Sequence, residues 1–525
     1  MRSEAELLGL ALALGADQVG TLSARERTLL ARGAPVPASV VRETRERLHA
    51  GEDPLGEALC ALRTPAERRL RGAVYTPRVI VEAMTAWAAE RRAARVVDPG
   101  AGSGRFLLAA ARAFPDAELV GVDTDPFACT LLRAALAAHG AARRARVVLG
   151  DFRRLRLCEL GAPTLFLGNP PYVRHHTISP RDKAWFVRTA RAAGLRASAL
   201  AGLHAHFFLA TSRHARPGDF GAFVTAAEWL DVNYGALVRE LFLERLGGSA
   251  LFLVEPRARP FADADTTAVV ACFSVGERPQ TLRFGMVADC AELGRLTGGR
   301  AVPRARFEAS SRWTALTRRA SVRPAGHVEL GELFAVHRGQ VTGDNATWVE
   351  RELANLPERV RFPAVTRAKE LFAAGPVLSE LDGLRRVIDL PPDLDVLSAS
   401  ERRRVAAFLR AARGRGVHLG FIAQHRKAWW SVGLHAPAPL LATYMARRPP
   451  AFVRNPHGAR HLNIAHGLYP REPLDEAVLD AVARYLNTNA SLTGGRTYSG
   501  GLTKFEPREM ERLLLPGLEL LRDRH

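Results

Sequence analysis

The chain has 525 residues, 47% of them hydrophobic, and a formal net charge of +20. That length exceeds one typical domain, so two or three are expected. Its five cysteines (Cys60, Cys129, Cys158, Cys272, Cys290) are scattered, odd in number and without a C-x-x-C pair, which excludes a disulfide framework or a zinc ribbon and places the chain in a reducing, cytoplasmic setting.

Residues 1–70 are Leu- and Ala-rich with mixed Arg and Glu, and read as a helical extension broken at Pro35 and Pro37. The apolar run Leu7–Leu14 follows Glu4 and Glu6 with only Arg2 basic, so it reads as a buried helix and not as a signal sequence. No apolar run approaches the roughly 20 residues that a membrane span needs. From Val74 the pattern alternates between helix and short apolar strand. Val96-Val97, Leu119–Val122, Val147–Leu149 and Leu165–Leu167 are β-rich runs separated by Ala/Leu helices. Ala222–Val224, Leu251–Val254 and Thr267–Phe273 continue the series. This alternation predicts a parallel sheet covered by helices on both faces. A Gly/Arg/Pro stretch at Thr297–Arg304 reads as a boundary, and irregular mixed structure follows it. The expected domains are 1–70, 71–300 and 301–525.

Each of the first four strands ends in a polar group. Val96-Val97-Asp98 runs into Pro99-Gly100-Ala101-Gly102-Ser103-Gly104, a glycine-rich turn that lets backbone approach a ligand before a helix begins near Arg105. Asp123 ends the second strand, where a carboxylate binds ribose hydroxyls. Asp151 ends the third, placed to accept from an adenine amino group while Phe152 packs against the ring. Ligands bind at the carboxyl ends of such strands.

The fourth strand stops at Gly168 and is followed by Asn169-Pro170-Pro171-Tyr172. The prolines fix the backbone and carry no N–H. The Asn169 amide oxygen and the Pro170 carbonyl then stand as neighbouring acceptors beside the flat face of Tyr172. Two acceptors and a stacking plate suit a planar exocyclic amine, either an aromatic NH2 or an amide NH2. Accepting both of its hydrogens draws the nitrogen lone pair out of conjugation and makes it nucleophilic.

These motifs resemble the class I S-adenosylmethionine-dependent DNA adenine-N6 methyltransferases, in the gamma arrangement that places the cofactor half first and target recognition last. The resemblance covers about residues 71–520. It implies a Rossmann-like methyltransferase domain, an N-terminal helical extension and a C-terminal mixed α+β target-recognition domain. It further implies S-adenosylmethionine as cofactor, double-stranded DNA as partner and a flipped-out adenine as substrate. By resemblance, Gly72–Pro77 is the leading cofactor segment, with Thr76 helping to hold the methionine carboxylate. Asp98, Gly100 and Gly102 surround the methionine moiety, and Asp123 stands where many relatives carry Glu. Phe261, in Pro260-Phe261 before Asp265–Val270, is the candidate second stacking plate beside Tyr172. Neither a catalytic metal nor a side-chain nucleophile is expected. A cognate restriction endonuclease is the implied partner.

Net charge supports a polyanionic partner. Residues 1–70 carry 10 basic and 10 acidic side chains, residues 71–300 carry 30 and 21, and residues 301–525 carry 34 and 23. In the last part, Arg410–Gly416 with Gln424–Trp430, and Arg447–Pro450 with Arg454, Arg460 and His461, place basic groups among aromatics and amides that suit phosphates and base edges. Asn455-Pro456, Leu462-Asn463, Leu486–Asn489 and Ser499–Phe505 are the better markers of the recognition domain. Other readings stay open: methylation of RNA, of a protein glutamine or of cytosine N4, and a non-catalytic DNA-binding protein on the same fold.

Overall fold

The computed structural model describes residues 3–64, 67, 75–254, 267–317, 323–350, 355–491, 495–498 and 502–522. The chain forms two compact units, residues 1–319 and 320–525.

In the first unit, nine described strands form one sheet in the order β3-β2-β1-β4-β5-β7-β6-β8-β9. They are β1 (Arg95–Asp98), β2 (Glu118–Asp123), β3 (Ala145–Leu149), β4 (Thr164–Gly168), β5 (Phe220–Ala226), β6 (Gly248–Val254), β7 (Ala268–Ser274), β8 (Thr281–Val287) and β9 (Arg300–Pro303). β3, β2, β1, β4 and β5 run parallel, and β7 inserts antiparallel between β5 and β6. The continuous apolar runs foreseen for strands buried on both faces are present. In β1 and β4 alternate side chains serve opposite faces: Val96, Leu165 and Leu167 join one core, Val97 and Phe166 the other. The chain leaves β1 toward β2 on one side and returns as β4 on the other. A crevice therefore opens at the carboxyl ends of β1 and β4, the topological switch point where such sheets bind ligands.

The N-terminal helices α1 (Glu4–Ala13), α2 (Ala24–Leu30), α3 (Ala38–His49) and α4 (Pro54–Leu62) belong to this unit. Pro35 and Pro37 fall between α2 and α3. Next come α5 (Arg78–Ala88), α6 (Arg105–Ala113), α7 (Pro126–Ala138), α8 (Pro180–Ala192) and α9 (Leu203–His214). Leu7, Leu8, Leu10, Leu14, Leu30 and Leu48 pack on Phe127, Leu131, Ala135 and Ala138 of α7, while Cys129, Leu132 and Leu136 of the same helix face the sheet. One buried cation fastens the extension there. Arg133 of α7 donates Nε to Glu26 Oε1 at 2.7 Å, Nη1 to the Val19 carbonyl, and Nη2 to the carbonyls of Thr21 at 3.0 Å and Val147 at 2.9 Å. Glu26 also caps its own helix by accepting from the Ser23 N–H.

The stretch at 297–304, read in sequence as a boundary, instead contributes β9, which pairs with β8; the units divide after Arg319. A Gly- and Pro-rich segment also suits an edge strand, whose outer N–H groups need no partner in the sheet.

The second unit holds a four-stranded sheet (Phe334–Arg338, Ala465–Pro470, Leu440–Thr443, Phe452–Arg454) with a helix, Glu476–Asn489, against it, as well as smaller two- and three-stranded sheets. A separate core gathers Trp348, Ile388 and Val405 of the helix Ala399–Gly414, with Trp429 and Trp430 packed on it. Among the described residues no helix is long and apolar enough to cross a membrane, and all five cysteines lie outside disulfides.

Glu26→Ala strands the Arg133 guanidinium in the core with its charge unopposed. The expected loss is about 3–5 kcal/mol of unfolding free energy, as for other broken buried ion pairs. Denaturant unfolding measures it; a loss within the ~1 kcal/mol of exposed pairs would show that the pair does not fasten the extension.

Candidate active site

The carboxyl ends of β1, β2 and β4 and the loop after β3 surround a cavity of about 450 Å³. Gly100, Gly102, Asp123, Asp151, Phe152, Thr76, Asn169 and Pro171 all line it, so residues spread over nearly a hundred positions meet in one place. Asp98 lies just behind the lining, Tyr172 packs partly buried at the first core, and Pro170 is buried. Phe261 lies outside the described residues, as do Pro260, Asp265, Gly72–Val74 and Ser499–Gly501.

The glycine-rich turn is held by carboxylates. Gly102 donates its N–H to Asp123 Oδ2 at 2.9 Å, and Asp125 N–H donates to Asp123 Oδ1 at 2.9 Å. Gly102 has φ +52° and no atom within 4 Å of where a Cβ would stand. A side chain there would strain the backbone and intrude on a ligand's space. Burial pushes the Asp123 carboxyl up, opposed by the N–H groups of Asp125 and Gly102.

Asp98 is 1% exposed; its Oδ1 takes a long hydrogen bond from Gly100 N–H at 3.3 Å, and its Oδ2 has no partner among the described residues. Burial raises its pKa to about 8, with the neighbouring charge of Asp123 adding to the rise and the Gly100 N–H opposing it. A buried acid lacking a counter-charge suits a cationic ligand group.

Asp151 meets an arginine. Arg153 donates Nε to Oδ1 at 2.9 Å and to Oδ2 at 3.0 Å, and Nη2 to Oδ2 at 2.7 Å, while its N–H caps Oδ1 at 3.0 Å. The same guanidinium reaches Asp182 of α8 at 3.2 Å. Phe152 is buried, with its ring 5.7 Å from that of Phe207, and both line the cavity.

Asn169 donates Nδ2 to Thr76 Oγ1 at 2.9 Å. With its NH2 end committed there, the amide presents its oxygen as the acceptor end. Thr76 is itself fixed, because Arg105 of α6 donates Nη1 to its carbonyl and lies 3.4 Å over the Tyr75 ring. Arg105 Nε, Ser103 Oγ (2.6 Å) and Tyr75 Oη (2.9 Å) all donate to Oδ2 of the buried Asp53, the arginine at 3.2 Å. Sequence reasoning missed Asp53, Tyr75 and Arg105. Asp53-Pro54 carries a helix-start signal that is fulfilled by Asp53 accepting from Gly56 N–H at 2.8 Å, but that signal names no distant partner. Burial pushes the Tyr172 phenol well above its ordinary range, so it stays neutral.

His204 and His206 are buried in α9, and burial lowers their pKa values to about 4 and about 3; His206 stacks on Phe186 at 4.1 Å. Among the described residues no group of three or more His, Cys, Asp or Glu could hold a metal ion.

In the second unit several residues of the basic stretches serve the fold. Trp430 donates to the Pro391 carbonyl at 3.1 Å, Arg454 pairs with Asp480 at 2.7 Å, and His461 is buried. The Asn455 side chain bonds Ala438 and Ala459 backbone, and that of Asn487 bonds both backbone groups of Phe452. Arg410, Arg413, Arg415, Lys427, Arg447 and Arg448 are exposed.

Comparisons with known proteins agree with this architecture. The family model described as the C-terminal domain of type II methyltransferase M.Eco57I matches residues 319–524, and a methyltransferase-domain model matches residues 96–166. The chain is 51% identical to the type II methyltransferase M.XamI of Xanthomonas campestris pv. amaranthicola over 99% of both chains. It is 20% identical to the type II methyltransferase M.AccI of Acinetobacter calcoaceticus, over 67% of this chain and 69% of that one. Two solved structures share the fold at a TM-score of 0.51 and cover 99% of this chain. One is the type IIG restriction endonuclease BpuSI, at 14% identity over 71% of its length; the other is the type IIL restriction-modification enzyme MmeI in complex with DNA, at 12% over 69%. The chain belongs to the type II methyltransferase family of restriction-modification systems, and its first unit has the Rossmann-like fold of S-adenosylmethionine-dependent methyltransferases.

The Asp98 carboxyl generates a pH prediction. Between its ordinary value of 3.8 and about 8, the native ligand-free protein holds a proton there that the unfolded chain has lost. Stability from this group therefore falls as pH rises through that window, and the full cost of burying the charge is present above it. Asp98→Asn removes the cost, so its stability relative to wild type should rise from pH 5 to pH 8.5. Urea midpoints at the two pH values measure this; a difference independent of pH would contradict it.

Proposed function

We propose that the chain is a site-specific DNA methyltransferase that transfers the methyl group of S-adenosylmethionine to N6 of a flipped-out adenine, as the modification component of a restriction-modification system. The observation that carries the amine assignment is the orientation of Asn169: its Nδ2 donates to Thr76, so its oxygen is the acceptor end and forms, with the Pro170 carbonyl, an acceptor pair for an exocyclic amine. Adenine as the base that bears it comes from the resemblance of Asn169–Tyr172 to the adenine-N6 enzymes. DNA as substrate is supported by the relatives and by the basic excess of both later parts of the chain.

The cavity fits the cofactor. Its volume lies within the range of small-molecule sites, about 300–1,000 Å³. Asp98 offers a buried carboxylate to an ammonium group, Asp123 an acceptor to ribose, and Asp151 with Phe152 an acid and an aromatic face to adenine. Thr76 and the turn at Gly100–Gly102 complete the methionine end. S-adenosylmethionine supplies a sulfonium methyl as electrophile when bound.

Asn169 and Pro170 accept both hydrogens of the target N6 amine and direct its lone pair out of the ring plane. Tyr172, neutral and partly buried, gives the extruded base a stacking face. Phe261 is assigned the opposite face. Flipping costs a few kcal/mol, and each aromatic stack returns about 1–3 kcal/mol, as in single-strand binders. Fixed orientation of two reactants supplies much of the rate. Of the second unit, the exposed arginines and Lys427 are assigned to phosphates and base edges, with a cognate endonuclease reading the same site.

Single-molecule sequencing of DNA from a methylation-free host expressing the chain tests this. N6-methyladenine at one short motif is expected. N4-methylcytosine there, or unmodified DNA from a host whose expressed protein binds S-adenosylmethionine, would overturn the assignment.

A further inference from the structure

The cavity has one wall that no methyltransferase motif supplies. Gly56, Leu59, Cys60 and Arg63 come from α4 and its C-cap, in the N-terminal extension, yet they line the same space as Gly102, Asp123 and Asn169. Their spacing of three, four and seven residues places them on one helical face.

Both ends of this helix are anchored to the cofactor loops. At its start, the buried Asp53 gathers Ser103 and Arg105 from the glycine-rich turn and α6. At its end, Arg63 pairs with Asp125 at 2.6 Å, with side chains only 13% and 9% exposed. Asp125 is the N-cap of α7 and donates its N–H to Asp123. The anchors thus hold α4 between the loop after β1 and the loop after β2. Gly56 shows how close the approach is, since a Cβ on it would stand 2.4 Å from Ser103 Oγ.

We propose that α4 is a working wall of the cofactor site, with Leu59 and Cys60 touching the bound cofactor and the Asp53 and Arg63 ion pairs positioning the helix. Cofactor affinity then depends on residues outside the methyltransferase domain, which gives the extension its role. The inference rests on S-adenosylmethionine as the ligand of this cavity.

Cys60 is a built-in probe. It is half-buried, whereas Cys129, Cys272 and Cys290 are buried, and only Cys158 is exposed. In full-length Cys158→Ser protein, the rate of Cys60 alkylation by a maleimide is measured with and without S-adenosylhomocysteine. At a ligand concentration 100-fold above its Kd, occupancy leaves about 1% of sites open, so labelling should slow about 100-fold. By reciprocity, protein already labelled at Cys60 should bind S-adenosylhomocysteine at least about tenfold more weakly in calorimetry. Unchanged labelling at saturation, or unchanged affinity after labelling, overturns the proposal and leaves the cofactor assignment standing. No heat of binding by the unlabelled protein removes the cofactor assignment and the proposal together.

Discussion

The site depends on the hydrogen bond from Asn169 Nδ2 to Thr76 Oγ1. A carboxamide has a donor end and an acceptor end of nearly the same shape, and only its partners decide which faces the substrate. Thr76 takes the donor end, and it is held in turn by Arg105, Tyr75 and the buried carboxylate of Asp53. A buried network of this kind is effective only when each member is satisfied, and Asp53 collects four donors on its two oxygens. A side chain on the loop after β4 is thus tied, through Thr76 and Arg105, to an acid in the N-terminal extension more than a hundred residues earlier.

The sheet explains why such distant residues meet. Parallel strands deliver their carboxyl ends to one edge, and the order β2-β1-β4 opens a crevice there. Asp98, Asp123 and Asn169 share that edge because each directly ends or follows a strand. The helices then close the cavity from above. α6 brings Arg105, α9 brings Leu203 and Phe207, and α4 brings the side that the central motifs leave open. Arg133 and Glu26 secure the extension from beneath, so the layer that carries α4 is fastened to the same helix whose N-cap is Asp125.

Much of the first unit was legible in the sequence because its information is local. The runs Val96-Val97, Leu119–Val122 and Leu165–Leu167 announce buried strands, and a polar residue at the end of each announces the ligand edge. The parts that were not legible are those set by long-range pairing. Nothing near Asp53 indicates that it meets Ser103 fifty residues later, and nothing near Glu26 points to Arg133, 107 residues on. The segment 297–304 has the composition of a linker, but strand pairing with β8 decides its state. In the second unit, aromatic and amide side chains among arginines look alike whether they face nucleic acid or the interior. Trp429 and Trp430 pack on the core around Trp348, and Asn455 and Asn487 pin backbone. Only burial separates these from Arg410, Arg413 and Lys427, which remain exposed.

The central claim is that the Asn169 amide oxygen activates the target amine. The most direct test is the single-turnover rate of methyl transfer by Asn169→Ala, with cofactor and DNA affinities measured on the same preparation. Loss of one preorganised polar contact of this kind lowers chemical rates by about 10²–10³, so transfer should fall by at least that factor while both affinities stay within a few-fold of wild type. Transfer near the wild-type rate would contradict the account.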